Sequence, residues 1–114
     1  MRALVTGACG FVGSYLVRHL SACGDTVFGT CLNVESERGG DCEYHTLNLL
    51  DEAQCREVVH ATQPEIIYHL AAVTFVPTAE KDFQTTLATN VGGTHQLLRA
   101  CEGLGHRVRF LYVS

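Results

Sequence analysis

Lysine is nearly missing from this sequence: Lys81 is the only one, and the arginines are scattered rather than grouped. With a formal charge of −4 and no basic stripe, the chain offers no continuous cationic face to a nucleic-acid backbone, and that class of partner is not expected. Long apolar runs are missing as well. No stretch approaches the ~18 residues that a membrane span needs, and Met1-Arg2 leads straight into a strand-like segment without an apolar leader, so a cytoplasmic protein is expected. The six cysteines, at positions 9, 23, 31, 42, 55 and 101, include no C-x-x-C pair, and the six histidines include no H-x-x-x-H pair. Neither set has metal-site spacing, so no metal site is expected. Four of the cysteines fall in apolar helix or strand patterns and read as small core residues, no disulfide is expected, and the histidines read as ordinary surface or boundary residues. There is no internal repeat, linker or low-complexity tract. At 114 residues, 46% of them hydrophobic and 18% charged, the chain makes one soluble globular domain at most.

What is present starts with Val5 to Gly13, the string VTGACGFVG. An apolar run stops at Thr6 and a helical pattern begins near Phe11, with Gly7, Gly10 and Gly13 between and just after. Glycines there let the backbone turn sharply and approach another molecule without a Cβ in the way. A strand that feeds a helix through such a loop aims unpaired N–H groups and the positive end of a helix dipole at one point, which suits a phosphate. The spacing is G-x-x-G-x-x-G, and it gains its meaning from lying between a strand and a helix.

Along the rest of the chain, strand and helix patterns alternate. Arg2 to Thr6 reads as a buried parallel strand. A helix follows, whose apolar stripe is Phe11, Val12, Tyr15, Leu16, Leu20 and Cys23, with Gly24 at its end. Thr26 to Cys31 is a second strand, and Glu43 to Leu47 a third, joined by a polar connection that is short for a parallel crossover. Asp51 and Gln54 make a capping-box-like start to a second helix that Pro64 ends. Glu65 to Leu70 is strand four, a loop runs from Ala71 to Asp82, a long helix runs from Phe83 to about Gly103 or Gly105, and Arg109 to Val113 is strand five. The alternation predicts an α/β fold, a doubly wound parallel sheet of order 3-2-1-4-5. In such sheets ligand lies at the carboxyl ends of the strands, where the order reverses. Those ends are Gly7, Leu32-Asn33, Asn48-Leu49, Ala71 to Thr74 and Ser114.

Five motifs at these ends and on the long helix resemble those of the extended short-chain dehydrogenase/reductases that act on nucleotide sugars. TGACGFVG at Thr6 to Gly13 resembles the family's T-G-x-x-G-x-x-G, and NLLD at Asn48 to Asp51 its D-L-x-D. HLAA at His69 to Ala72, NVGGT at Asn90 to Thr94 and YVS at Tyr112 to Ser114 resemble the strand-four motif, the N-x-x-G-T and the start of the strand-five serine motif. AAVTFVPTA at Ala71 to Ala79 and RFLYVS are most similar to GDP-mannose 4,6-dehydratases and GDP-4-keto-6-deoxymannose reductases. The resemblance implies a Rossmann domain truncated after strand five, the N-terminal portion of a larger enzyme whose substrate domain is absent from residues 1–114. It implies that backbone N–H groups around Gly10, Phe11 and Val12 hold a pyrophosphate in a cofactor-binding loop that Gly7 turns and Gly13 packs, that Asn48 and Leu49 frame an adenine, that Leu70, Ala71, Ala72, Val73 and Thr74 line the ribose and nicotinamide side, and that Asn90 reaches the cofactor from the long helix.

Two departures from the family pattern shape the expectations. The acidic residue that meets the ribose 2′-hydroxyl of NAD is absent, since the end of strand two reads Cys31-Leu32-Asn33. A carboxylate repels a 2′-phosphate, so its absence tilts the expectation toward NADP over NAD; Arg38 in the following loop could fold back to that corner, with Asn33 beside it. Asn48 stands where the family has Asp, keeping a carbonyl acceptor but losing the charge. The larger departure is chemical. The family's Tyr-x-x-x-Lys, in which a lysine lowers the tyrosine pKa for proton transfer, does not occur in the chain, and the catalytic Ser or Thr would follow Ser114. No catalytic residue is therefore assigned here, and the fragment alone is expected to have no turnover. Its parent is expected to be a homodimer, through the long helix, acting on a nucleotide sugar, a GDP-sugar by preference. A cofactor-holding sensor or scaffold, and a reductase of a non-sugar ketone, stay open on these residues.

Overall fold

The computed structural model describes residues 1–33, 42–71 and 88–113. Five parallel strands form one sheet: β1 (Arg2–Thr6), β2 (Thr26–Cys31), β3 (Glu43–Thr46), β4 (Ile66–His69) and β5 (Arg109–Tyr112), in the spatial order β3-β2-β1-β4-β5. The predicted doubly wound order is the observed one. The register runs Arg2 beside Thr26 to Thr6 beside Thr30 on one side of β1, and Ala3 beside Ile66 to Thr6 beside His69 on the other. Among the described residues three α-helices cover the sheet: α1 (Phe11–Ala22), α2 (Glu52–Thr62) and α3 (Gly93–Glu102), the last preceded by a π-helical turn at Ala88–Gly92.

Alternation along the strands splits the core in two, because successive side chains point to opposite faces. Leu4, Phe28 and Ile67 face α2 and α3, where they meet Val58, Val59 and Leu97. Ala3, Val5, Val27 and Cys31 face α1, where they meet Val17 and Leu20. Burial of one such Leu, Ile or Phe contributes about 1.5–3 kcal/mol.

The buried face of α1 differs from the apolar stripe expected of its sequence. Gly13, Val17 and Leu20 are buried, while Phe11, Val12 and Tyr15 are exposed, Phe11 by 80%. Gly13 sets this face. A Cβ there would overlap the carbonyl oxygen of Gly7 and stand 2.8 Å from its carbonyl carbon, so α1 rests its glycine directly on the loop backbone, and the residues one turn on follow it inward.

At α2 the expected cap is present in altered form. The Asp51 carboxylate accepts from the Gln54 N–H at 3.1 Å, but the Gln54 side chain reaches past Asp51 and accepts from the Asn48 N–H at 2.9 Å. Asp51→Ala removes the first of these bonds and is expected to destabilise the fold by ~1 kcal/mol, visible as a lower unfolding midpoint with an unchanged denaturant m value. The helix ends with Gln63 in the left-handed region at φ 47°, immediately before Pro64, where a helix cannot continue.

The cysteine expectation needs one correction: Cys9 and Cys31 are joined as a disulfide. The parallel pairing of β1 with β2 explains it, since Thr6 lies beside Thr30 and each chain runs on from there to its cysteine at the same end of the sheet. Among the described residues there is no group of His, Cys, Asp and Glu able to hold a metal ion, and no helix long and apolar enough to cross a membrane.

Candidate functional site

The carboxyl end of β1 passes into the glycine loop through Gly7, which has φ +68°. A Cβ at Gly7 would come within 3.0 Å of the Leu70 carbonyl carbon and the Ala71 nitrogen. Only glycine satisfies both the left-handed backbone and that approach, and the loop is thereby pressed against the end of β4. Two backbone bonds hold its shape: the Ala8 N–H donates to the Thr30 carbonyl at 3.1 Å and the Gly10 N–H to the Gly7 carbonyl at 3.0 Å.

Helix α1 then starts at Gly10 with no side-chain cap and no acidic residue in its first turn. Ser14 is the first residue whose N–H finds a carbonyl within the helix, that of Gly10 at 2.9 Å. The N–H groups of Phe11, Val12 and Gly13 therefore belong to the unpaired first turn, where they and the helix dipole favour an anion. This start sits between the ends of β1 and β4, where the strand order reverses, because β1 has β2 on one side and β4 on the other.

The β4 side of the crevice is built around a buried polar pair. Thr6 and His69 are both fully buried and neighbours in register. The Thr6 Oγ1 accepts from the N–H groups of Leu70 at 3.0 Å and Ala71 at 3.2 Å, and lies 2.7 Å from His69 Nδ1. With both lone pairs of the hydroxyl occupied, its hydrogen goes to Nδ1. We therefore assign the proton of neutral His69 to Nε2, a buried atom without a hydrogen-bond partner among the described residues. Burial pulls the imidazole pKa down from 6.5 to about 4, since water is not there to solvate the cation. The ring lies against Phe110 and Tyr112 of β5, at 5.8 and 5.5 Å between centroids. The expectation that the histidines are surface or boundary residues thus fails at His69, whose hydroxyl partner fixes the backbone turn from β4 into the crevice.

The remaining expected site residues fall around this centre. Asn33 and Leu32 are exposed at the end of β2. Asn48 is exposed, but its Oδ1 accepts from the Leu50 N–H at 3.0 Å, so the carbonyl acceptor expected for an adenine already holds its own turn. The side chain of Leu49 is buried in the core against Gly93, leaving its backbone at the strand end. Leu70 and Ala71 are half-buried beside Gly7. Asn90 lies in the π-helical turn, a kind of bulge often found at functional sites, and its carbonyl accepts from Thr94 Oγ1 at 2.8 Å. Ala72, Val73, Thr74 and Arg38 lie outside the described residues. A separate open cleft of about 960 Å³, lined by Met1, Arg2, Gln63, Glu65 and His106 to Arg109, is at the amino ends of β1, β4 and β5, the opposite end of the sheet.

The model of the NAD dependent epimerase/dehydratase family matches residues 3–114. The chain belongs to that family. It is similar to the UDP-glucose 4-epimerase of Mycolicibacterium smegmatis, 36% identical over 94% of this chain and 36% of the relative. It is also similar to the GDP-6-deoxy-D-mannose reductase of Pseudomonas aeruginosa, 34% identical over 99% of this chain and 33% of the relative. Among solved structures, the UDP-glucose 4-epimerase of Thermus thermophilus in complex with NAD matches with a TM-score of 0.80 and 28% identity, over 89% of this chain and 33% of that one. The chain spans about a third of the length of the curated relatives it matches. Membership agrees with the resemblance carried by the five motifs, as the N-terminal part of an extended short-chain dehydrogenase/reductase.

Proposed function

We propose that residues 1–114 are the dinucleotide-binding part of an enzyme that transfers hydride at a carbon of a nucleotide sugar, as an epimerase, dehydratase or reductase. One observation carries the reading: the uncapped start of α1 opens at the strand switch point, and the loop before it is pressed backbone to backbone against the end of β4. In this reading the N–H groups of Phe11, Val12 and Gly13 receive the pyrophosphate, with Gly7 making the turn and Gly10, whose N–H is spent on the Gly7 carbonyl, letting the pyrophosphate come close. Asn48 and the backbone at Leu49 border the adenine. Cys31 to Asn33 border its ribose, and Leu70 to Thr74 with Asn90 border the nicotinamide side. The cofactor supplies the hydride chemistry, while this chain's own groups bind and orient it. No catalytic side chain is assigned within residues 1–114, so a polypeptide of this extent binds cofactor without turnover.

The end of β2 favours NADP over NAD, because its last residues read Cys31-Leu32-Asn33, none of which carries a carboxylate to repel a 2′-phosphate or to pair with a 2′-hydroxyl. A GDP-sugar is the favoured substrate, on the likeness of Ala71 to Ala79 to the GDP-mannose branch of the family; of the two relatives described above, one is named for a GDP-sugar and the other for a UDP-sugar. A homodimer through the face of the long helix that carries the exposed Val91 and Leu98, and a cytoplasmic location, complete the proposal.

Titration with NADP and then NAD, read by thermal shift, tests it. Binding to the native state alone, at about 100 times Kd, stabilises by about 2.7 kcal/mol, which for a domain of this size raises Tm on the order of 10 °C. NADP is expected to give the larger shift at equal concentration. No shift with either nucleotide would refute the binding reading, and a larger shift with NAD would refute the preference.

A further inference from the structure

Two of the six cysteines meet at one corner of the crevice. Cys9 lies in the glycine loop and Cys31 is the last residue of β2, 22 positions later. Their Cα atoms are 5.8 Å apart and the side chains are joined, a spacing inside the usual ~4.4–6.8 Å for such a bond. The bond needs no rearrangement, because the loop is already tied to β2 through Ala8 and Thr30. Cys9 is half-buried and open to a small reagent, whereas Cys31 is only 6% exposed. Cys55 and Cys101 offer a contrast: both are thiols in the α2–α3 layer, where burial pushes their pKa up, Cys55 to about 11, and a thiol held protonated is a poor nucleophile.

We infer that Cys9 and Cys31 form a reversible thiol–disulfide site that weakens dinucleotide binding when oxidised. The inference rests on the cofactor reading above, which puts the adenosine ribose over the end of β2. There Cys31 stands where a carboxylate would meet the ribose hydroxyls, and Cys9 stands beside the N–H groups that receive the pyrophosphate. As thiols, the two side chains carry S–H donors at the edge of the ribose site. As a disulfide they lose both donors, become a fixed apolar bridge across the strand end, and hold the loop against β2.

The oxidation balances with a low-molecular-weight disulfide such as oxidised glutathione. The Cys9 thiolate attacks one sulfur, the sulfur–sulfur bond of the reagent breaks, and one glutathione leaves as thiolate. Cys31, as thiolate, then attacks Cys9 Sγ in the mixed disulfide, forming the Cys9–Cys31 bond and releasing the second glutathione. Two protein thiols are oxidised by two electrons, the reagent is reduced by two, and the two cysteine protons pass to the departing thiolates. Excess reduced glutathione reverses both steps.

The test uses the protein equilibrated in glutathione buffers of varied ratio, quenched by alkylation and mapped by tandem mass spectrometry, which separates Cys31 from Cys23 in the same tryptic peptide. A Cys9–Cys31 link that comes and goes with the ratio is expected. NADP titrated into the two forms is expected to bind about three- to tenfold more weakly to the oxidised one, the size of one lost hydrogen bond. Cys9→Ser is expected to erase that difference, and by reciprocity saturating NADP shifts the equilibrium toward the two thiols, so that a more oxidising glutathione ratio is needed for the same fraction of link. Absence of the link at every ratio overturns the inference, as does equal affinity of the two forms, and in both cases NADP binding by the reduced protein leaves the cofactor reading standing. If the reduced protein binds neither NADP nor NAD, the cofactor reading fails and the coupling fails with it.

Discussion

Gly13→Ala is expected to cost at least about 3 kcal/mol of stability and to abolish dinucleotide binding, because a Cβ there would make the shortest contact of any described glycine. The usual cost of an added methylene in a packed site is about 1–3 kcal/mol, because side chains can shift. Here the nearest atoms the new Cβ would meet are all backbone: it would overlap the Gly7 carbonyl oxygen and stand 2.8 Å from the Gly7 carbonyl carbon and 2.9 Å from the Ala8 Cα. That backbone cannot retreat. Thr6 is paired with Thr30 on one side and His69 on the other, and Gly7 lies so close to the end of β4 that a Cβ on it would stand 3.0 Å from the Ala71 nitrogen. The strain is therefore relieved by moving the start of α1, which displaces the N–H groups of Phe11 and Val12 from the point where they converge. Gly92→Ala is the control. Gly92 has helical angles of φ −65° and ψ −42°, and a Cβ there meets nothing within 4 Å, so the substitution is expected to stabilise by ~0.5–1 kcal/mol. Denaturant unfolding and an NADP titration of both variants read the outcome. A Gly13→Ala protein with the parent's midpoint and affinity would mean that the loop does not rest on α1 as described.

Much of this site can be read from the residues alone, and the parts that cannot be share a cause. Parallel strands with short connections fix the sheet order. The glycine spacing places the loop, and Asp51 followed by Gln54 marks the start of α2 from local chemistry. Local signals suffice for these. The buried face of α1 is different: an apolar count gives weight to Phe11, Val12 and Tyr15 and none to Gly13, yet the glycine makes the closest contact and turns the larger side chains outward. The Cys9–Cys31 bond and the Thr6–His69 pair are missed for a related reason. Both join residues that are distant in sequence and become neighbours only through strand register, Thr6 beside Thr30 and beside His69. The signal was available in the predicted order, which puts β2 and β4 on either side of β1. Pairing strand ends in that order brings residue 9 near residue 31 and residue 6 beside residue 69. Composition and spacing classify a cysteine or histidine by type, whereas register decides what it touches.

Acidification from pH 6.5 to 4 is expected to remove about 3 kcal/mol of stability through His69 alone. In the folded chain its pKa is lowered to about 4, against 6.5 for an unburied imidazole, and each unit of difference corresponds to about 1.4 kcal/mol. The sign follows from proton counts. Above pH 6.5 the ring is neutral in both states and its contribution is fully present. Between 6.5 and 4 the unfolded chain takes up a proton that the folded chain refuses, so stability falls with pH. Below 4 both states are protonated and the loss is complete. The structure supplies the reason for the refusal: Nδ1 already accepts the Thr6 hydroxyl proton, that hydroxyl is held in place by the Leu70 and Ala71 N–H groups, and the ring is closed off by Phe110 and Tyr112. A proton on Nδ1 would set two donors against each other unless Thr6 gave up one of its backbone bonds at the crevice. Carboxylates titrate in the lower part of the same window, so the measurement is a difference: unfolding free energies of the parent and of His69→Gln from pH 7.5 to 3.5, with the variant expected to lose the His69 share of the slope. An NMR titration gives the independent reading, with the His69 ring expected to stay neutral, carrying its proton on Nε2, down to about pH 4. Equal slopes in the two proteins, or a ring that titrates near 6.5, would show that the pair is open to water and does not fix the turn from β4 into the crevice.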